Sequence, residues 1–134
     1  MLLKIKTGHN GLRQFPMEEI VILVANLPSL TANGHAWLFT DRNARLDYAN
    51  FHSGLSELAC LDWSALQARD FRRDPDKPDK LERYMAEALV HNYLPLSGLA
   101  GIVCHGPAQK EKLKLMSQDG NIPLPVEVRP SWYF

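Results

Sequence analysis

The chain has 134 residues, and its fifteen basic and fifteen acidic side chains cancel at neutral pH. That length suits a single domain, residues 1–134, burying roughly two thirds of the surface its unfolded form would expose, so folding requires neither a disulfide nor a metal. The missing basic surplus removes the bulk-charge argument for a nucleic-acid or membrane partner, and the absence of any run of ~18 apolar residues or a signal-peptide core predicts a cytoplasmic protein.

Leu2 to Lys6 alternates apolar and basic residues and stops at a Gly/Asn turn, the pattern of a short strand. Pro16, Glu18 and Glu19 suit a first helical turn, and Ile20, Val21, Leu23, Val24 and Leu27 continue it as an apolar stripe, which predicts a helix over residues 16–27. Pro28 to Leu30 adds one more turn. Asn33-Gly34 is a stop with a left-handed position at Gly34, and Ala36-Trp37-Leu38-Phe39 reads as a buried strand. With Thr40 or Asp41 as cap, the spacing of Ala44, Leu46, Tyr48, Ala49 and Phe51 predicts a second helix over residues 41–52. Asp62-Trp63-Ser64 opens a further helical turn.

Residues 69–83 hold eleven charged residues in fifteen, with Pro75 and Pro78 among them, and read as an exposed, mobile, charged loop. Leu81 to Met85 closes that loop as a short helix, and Ala86 to Val90 then runs into the centre of the protein. Gly101-Ile102-Val103-Cys104 is a second buried strand. Pro107 opens an amphipathic helix that ends at Asp119-Gly120, and Val126 to Arg129 alternates as a last strand. The order of elements is that of an α+β fold. Cys60 and Cys104 each have apolar neighbours and read as small core residues.

No phosphate-loop, dinucleotide-binding, zinc-protease or paired-cysteine motif is present, so no metal is expected. Cys104 and His105 are adjacent, and neighbours on a strand face opposite ways, which argues against their acting together. Asp41 and Glu87 form a possible carboxylate pair, although a helix cap is a sufficient role for Asp41. Glu87 is the anomaly. A carboxylate among Met85, Ala86, Ala88, Leu89 and Val90 either faces water or is buried for a purpose, and composition leaves both open.

Several blocks, in order, resemble one known family. Met1-Leu2-Leu3-Lys4-Ile5 is similar to the MLY-x-I segment of DarT-type toxins, and Ile20 to Val24 to their apolar helix. Trp37-Leu38-Phe39-Thr40-Asp41-Arg42-Asn43-Ala44 resembles the FTD-x-HA signature, Leu61-Asp62-Trp63 the IDW block, and Ala86-Glu87-Ala88-Leu89-Val90-His91 the AE-x-LVH block that carries the family's catalytic glutamate. Residues 35–134 thus resemble the C-terminal, catalytic-glutamate half of a DNA ADP-ribosyltransferase. The resemblance implies an ADP-ribosyltransferase-like α+β fold, in which two small sheets with flanking helices hold NAD in a cleft.

It further implies that NAD donates ADP-ribose, without a metal, to a thymine ring nitrogen in single-stranded DNA. Glu87 would be the catalytic residue, holding the ribose 2′-hydroxyl, stabilising positive charge at C1′ and acting as general base. Thr40 beside it falls to the NAD site; Asp41, Arg42 and Asn43 fall to the DNA site. Residues 42–86 match the segment that meets substrate, and Arg72, Arg73 and Arg83, with Arg69, Lys77 and Lys80, are candidates for phosphates. Tyr84 or Trp63 is a candidate base-stacking platform. The implied partner is a macrodomain antitoxin of the DarG type; no membrane is involved.

Two departures stand out. The family's HA histidine is Asn43 here, which keeps hydrogen bonding but loses an imidazole. The family's N-terminal portion, with an NAD-contacting histidine and an arginine that partners the glutamate, normally precedes the MLY block, so an incomplete NAD site is expected. The rival readings are a non-catalytic DNA- or antitoxin-binding fragment of the same ancestry and, remotely, a metal-dependent nuclease built on Asp41 and Glu87.

Overall fold

A computed structural model describes residues 13–133 together with Ile5, Gly8 and Gly11. The chain forms two compact units, one of residues 1–26 and 95–134, the other of residues 27–94. Each contains one three-stranded sheet, and with the helices they make up the α+β class expected from the order of elements.

The first unit is built on strands β1 (Ile22–Ala25), β5 (Leu99–Cys104) and β6 (Val126–Val128) in the order β1-β5-β6. Here the helix expected over residues 16–27 is overturned: only Met17–Glu19 coils, as a 3-10 turn, and Ile22–Ala25 is a strand antiparallel to β5, with Leu23 opposite Ile102. Ile20, Val21, Ile22 and Val24 are β-branched, which makes them stiff in a helix and well suited to a pleated surface, and pairing with β5 decides the matter. The strand expected over residues 2–6 lies outside the described residues apart from Ile5, which is helical.

From β5 the chain crosses through helix α4 (Pro107–Asp119) to β6, which lies parallel to β5. Sequence and structure agree on this helix. Gly106 precedes it with its N–H bonded to Gln109 Oε1 at 2.7 Å, Pro107 fills the first turn where no N–H is needed, and Gly120 ends it. Ile102, Cys104 and Val126 are buried together, with Leu113, Leu124 and Val128 packed on them. Gly101, within β5, lies close against the segment before β6: a Cβ there would sit 3.1 Å from the Pro125 carbonyl oxygen, tighter than an ordinary contact. The buried Tyr133 hydroxyl reaches the Ile20 and Val103 carbonyls at 2.9 and 3.0 Å, tying the chain's end to this sheet.

The second unit begins with α1 (Leu27–Ala32), whose end is marked by Gly34 at φ 72°, as the Asn-Gly stop predicts. Its sheet has β2 (Trp37–Thr40) in the centre, flanked antiparallel by β3 (Phe51–His52) and β4 (Ala88–Val90). Leu30, Phe39 and Thr40 are its buried residues. Between them lie a 3-10 turn, Leu55–Cys60, and helices α2 (Trp63–Ala68) and α3 (Lys80–Arg83). Asp62 caps α2 by accepting the Ala65 N–H at 3.0 Å, as the Asp-Trp-Ser run suggests.

Three expectations fail in this unit. Residues 41–50 form no helix; they loop back and deliver β3. Ala86 to Val90 does not enter the centre: β4 is an edge strand, with Ala88 and Leu89 exposed. Cys60 is exposed, whereas Cys104 is buried as predicted. For Ala86 to Val90 the local run was apolar enough, but strand order in the sheet decided which positions meet the core, whereas Cys60 lies outside the sheet, at the end of the 3-10 turn Leu55–Cys60.

Candidate active site

The two halves of the site lie some 45 residues apart in sequence and are joined through the backbone of β2 and β4. Phe39 pairs with Ala88, and one step further the Thr40 N–H donates to the Glu87 carbonyl at 2.9 Å. Glu87 therefore stands at the entry to β4, beside the end of β2 and the loop that follows it. Its side chain is exposed, the wet alternative of the two that the sequence left open, yet it is not loose: Oε1 accepts the Ala44 N–H at 3.0 Å. Its second oxygen has no hydrogen bond among the described residues.

Thr40 is wholly buried, and its hydroxyl donates to the Arg42 carbonyl at 2.6 Å and approaches Glu87 O at 3.4 Å. The side chain faces protein on every side and fixes the turn out of β2.

Asp41 does not cap a helix. Its carboxylate closes the loop instead, accepting the Asn50 N–H at 3.0 Å, the Asn50 amide at 3.1 Å and the Arg42 guanidinium at 3.0 Å. Burial alone pushes the Asp41 carboxyl up, but the hydrogen bonds from Arg42 and Asn50 outweigh it and hold the group down at about 2. Both oxygens are occupied, so the carboxylate pair that a nuclease reading needs loses one member to structure.

Arg42 is bound up in the same loop. It pairs with Asp41, lies 3.8 Å from Glu82 and sits over the Tyr48 ring at 5.3 Å, and Tyr48 donates to Glu82 at 2.9 Å. Asn43 accepts the Arg45 N–H at 3.0 Å and points its amide at Met85 Sδ. Asn50, Tyr48, Glu82 and the Ala44 N–H were not singled out from the sequence; no motif spacing marks a clamp closed across a loop.

The charged stretch is organised around Asp70. Arg72 binds it at 2.8 Å and Lys80 at 3.0 Å, and these two partners hold its carboxyl well below the ordinary range. Arg83 pairs with Asp79 at 2.7 Å. Arg72 and Arg83 are thus neutralised where they stand, whereas Arg73 is exposed and forms no ion pair among the described residues. Tyr84 packs on Phe71 at 4.7 Å and its hydroxyl bridges the Ala65 carbonyl and the Asp70 N–H, which commits its ring to the protein. Trp63 is half exposed and donates its indole N–H to the Leu58 carbonyl at 2.8 Å. Asp62, Leu66, Asp70, Lys80, Arg83 and Tyr84 line a concavity of about 510 Å³ here.

The model of the family described as ssDNA thymidine ADP-ribosyltransferase, DarT, matches residues 1–134. The chain belongs to the DarT family. A DNA ADP-ribosyl transferase of Escherichia coli O127:H6 is 43% identical over 134 residues, which is all of this chain and 62% of that protein. The chain thus spans about three fifths of the length of this DarT relative. Among solved structures, Thermus sp. 2.9 DarT in complex with carba-NAD+ matches with a TM-score of 0.84 and 30% identity, over 99% of this chain and 67% of that one. The same protein in complex with ADP-ribosylated ssDNA matches at 0.82 and 31%, over 99% and 63%. These matches bear out the DarT resemblance and its ADP-ribosyltransferase-like fold.

Proposed function

We propose that this chain carries the catalytic carboxylate of an NAD-dependent DNA ADP-ribosyltransferase, with Glu87 acting on ADP-ribose transfer to thymine in single-stranded DNA. The observation that carries this reading is the convergence of the Phe39-Thr40-Asp41 strand end and Glu87, with the glutamate anchored by one oxygen to Ala44 and accessible through the other. A relative described in complex with carba-NAD+ and, separately, with ADP-ribosylated ssDNA supports it.

The donor set fits the donor molecule. The second oxygen of Glu87 accepts a ribose 2′-hydroxyl, and its charge faces the carbon that becomes positive as the bond to nicotinamide breaks with both electrons leaving on nicotinamide. A thymine ring nitrogen then bonds to C1′, and its proton passes to the Glu87 carboxylate, which balances the transfer. Thr40 serves as a positioning residue, since its hydroxyl fixes the turn that offers the Ala44 N–H. Asp41, Arg42 and Asn43 shape the DNA side; Arg73, exposed and in no ion pair among the described residues, is available to meet a phosphate, and Arg72 and Arg83 exchange Asp70 and Asp79 for phosphates when DNA arrives. The setting is a toxin–antitoxin pair in the cytoplasm with a DarG-type macrodomain. No helix among the described residues is long and apolar enough to cross a membrane.

Incubation with NAD and a thymidine-containing oligonucleotide, read by mass spectrometry, tests the reading. An ADP-ribose adduct with wild type that falls about 100-fold or more with Glu87→Ala is expected. Equal adduct from both proteins removes Glu87 from the mechanism; binding of the oligonucleotide without adduct from either favours the non-catalytic alternative.

A further inference from the structure

The second unit holds another constellation that shares no residue with the site above. Cys60 ends the 3-10 turn Leu55–Cys60, is exposed, and has its Sγ 3.6 Å from His52 Nε2. His52 Nδ1 lies 3.2 Å from Glu57 Oε1, and the other oxygen of Glu57 accepts the N–H groups of Gly54 at 2.8 Å and Ser53 at 3.1 Å. The imidazole is fixed on three counts: by Glu57, by the register of β3 with β2, and by its ring stacked on Phe39 at 4.9 Å.

Glu57, as an ionised carboxylate, can only accept, so the neutral tautomer that satisfies it carries its proton on Nδ1 and presents Nε2 as an acceptor to the thiol. A thiol beside an acceptor imidazole that a carboxylate orients is the arrangement that generates a nucleophilic thiolate. Capping of the 3-10 turn accounts for Glu57 alone; it requires neither His52 at its Oε1 nor a sulfur at Nε2. Cys104 is the internal contrast, wholly buried and directed at the carbonyls of Gly106 and Glu127. The Gly54 and Ser53 N–H groups are spent on Glu57 rather than free to stabilise an oxyanion, so acyl transfer is disfavoured, whereas a small electrophile needs only an accessible sulfur and a proton acceptor.

We propose that Cys60, activated by His52 and oriented by Glu57, is a thiol modification site whose electrophile is a small peroxide. Sγ attacks one peroxide oxygen; the S–O bond forms as the O–O bond breaks. The thiol proton passes to His52 Nε2 and on to the departing hydroxide, leaving a Cys60 sulfenic acid and water, with sulfur giving up the two electrons that the peroxide takes.

The test treats the whole chain at pH 7 with hydrogen peroxide in the presence of dimedone and follows adducts at Cys60 and Cys104 by peptide mass spectrometry, with circular dichroism confirming the fold. Cys60 of the folded chain is expected to react about tenfold faster than in the chain unfolded by urea, with Cys104 unlabelled while folded. His52→Gln removes that advantage and Glu57→Gln reduces it. Equal rates for folded and unfolded chain, or a wild-type rate in His52→Gln, overturn the proposal; if His52→Gln fails to fold, the urea comparison and Glu57→Gln decide.

Discussion

The two three-stranded sheets are held by different physics. In the first unit, β5 is buried over its last four residues and Ile102, Cys104 and Val126 pack under α4, so apolar area removed from water is the main stabilising term. In the second, β2 alone is buried at its end, while its flanking strands expose Phe51, Ala88 and Leu89. What organises that unit is carboxylates bonded to backbone N–H groups: Asp41 to Asn50, Glu57 to Ser53 and Gly54, Asp62 to Ala65, Glu87 to Ala44. A region fastened by polar clamps keeps charged groups at the surface, where a substrate meets them; a region fastened by burial cannot.

The largest effect that sharpens this contrast is Ile102→Ala. Loss of a buried side chain at the centre of β5 is expected to cost about 3 kcal/mol, read by urea denaturation, with amide exchange rising in β1, β5 and β6 before β2 and β4. Exchange rising first in β2 and β4 breaks the comparison.

Asp41→Asn comes next. A carboxyl held at about 2 against an ordinary 3.8 contributes about 2 kcal/mol at neutral pH. Because the folded value is depressed, that contribution is whole above about pH 4 and disappears as pH falls through about 2. Wild type should lose stability across that acid window more steeply than Asp41→Asn, measured by melting at each pH; parallel curves deny the clamp.

Tyr133→Phe removes one hydroxyl shared between two carbonyls in the buried unit and is expected to cost about 1 kcal/mol by the same denaturation assay. Arg72→Ala, whose side chain is 87% exposed, should leave the denaturation midpoint essentially unchanged, because an ion pair in water is screened and contributes little. A larger loss means that the Asp70 cluster supports the fold rather than resting on it.

Residues with one strong local preference were legible from the sequence. Pro107, the run to Met116 and Gly120 set α4; Gly101 to Cys104 and Trp37 to Phe39 read as buried strands; Asp62 announced its cap. The glutamate in its apolar run stood out, but only the family resemblance gave it a role. Stretches whose preference was split were not legible. Ile20 to Val24 has helical spacing and β-branched side chains at once, and the tie is broken by a partner strand some 80 residues later in the chain. The loop after Asp41 has helical spacing too, and the clamp from Asp41 to Asn50 turns it back.

By itself, then, the sequence determined where chains of like preference start and stop, and which blocks carry the DarT likeness, because those depend on near neighbours alone. Only the tertiary structure decided that β4 is an edge, that Thr40 is buried beneath Glu87, and that Cys60, His52 and Glu57 meet. Strand order and register bring together groups whose spacing in sequence carries no trace of it, since a hydrogen bond between strands depends on position in space and not on distance along the chain.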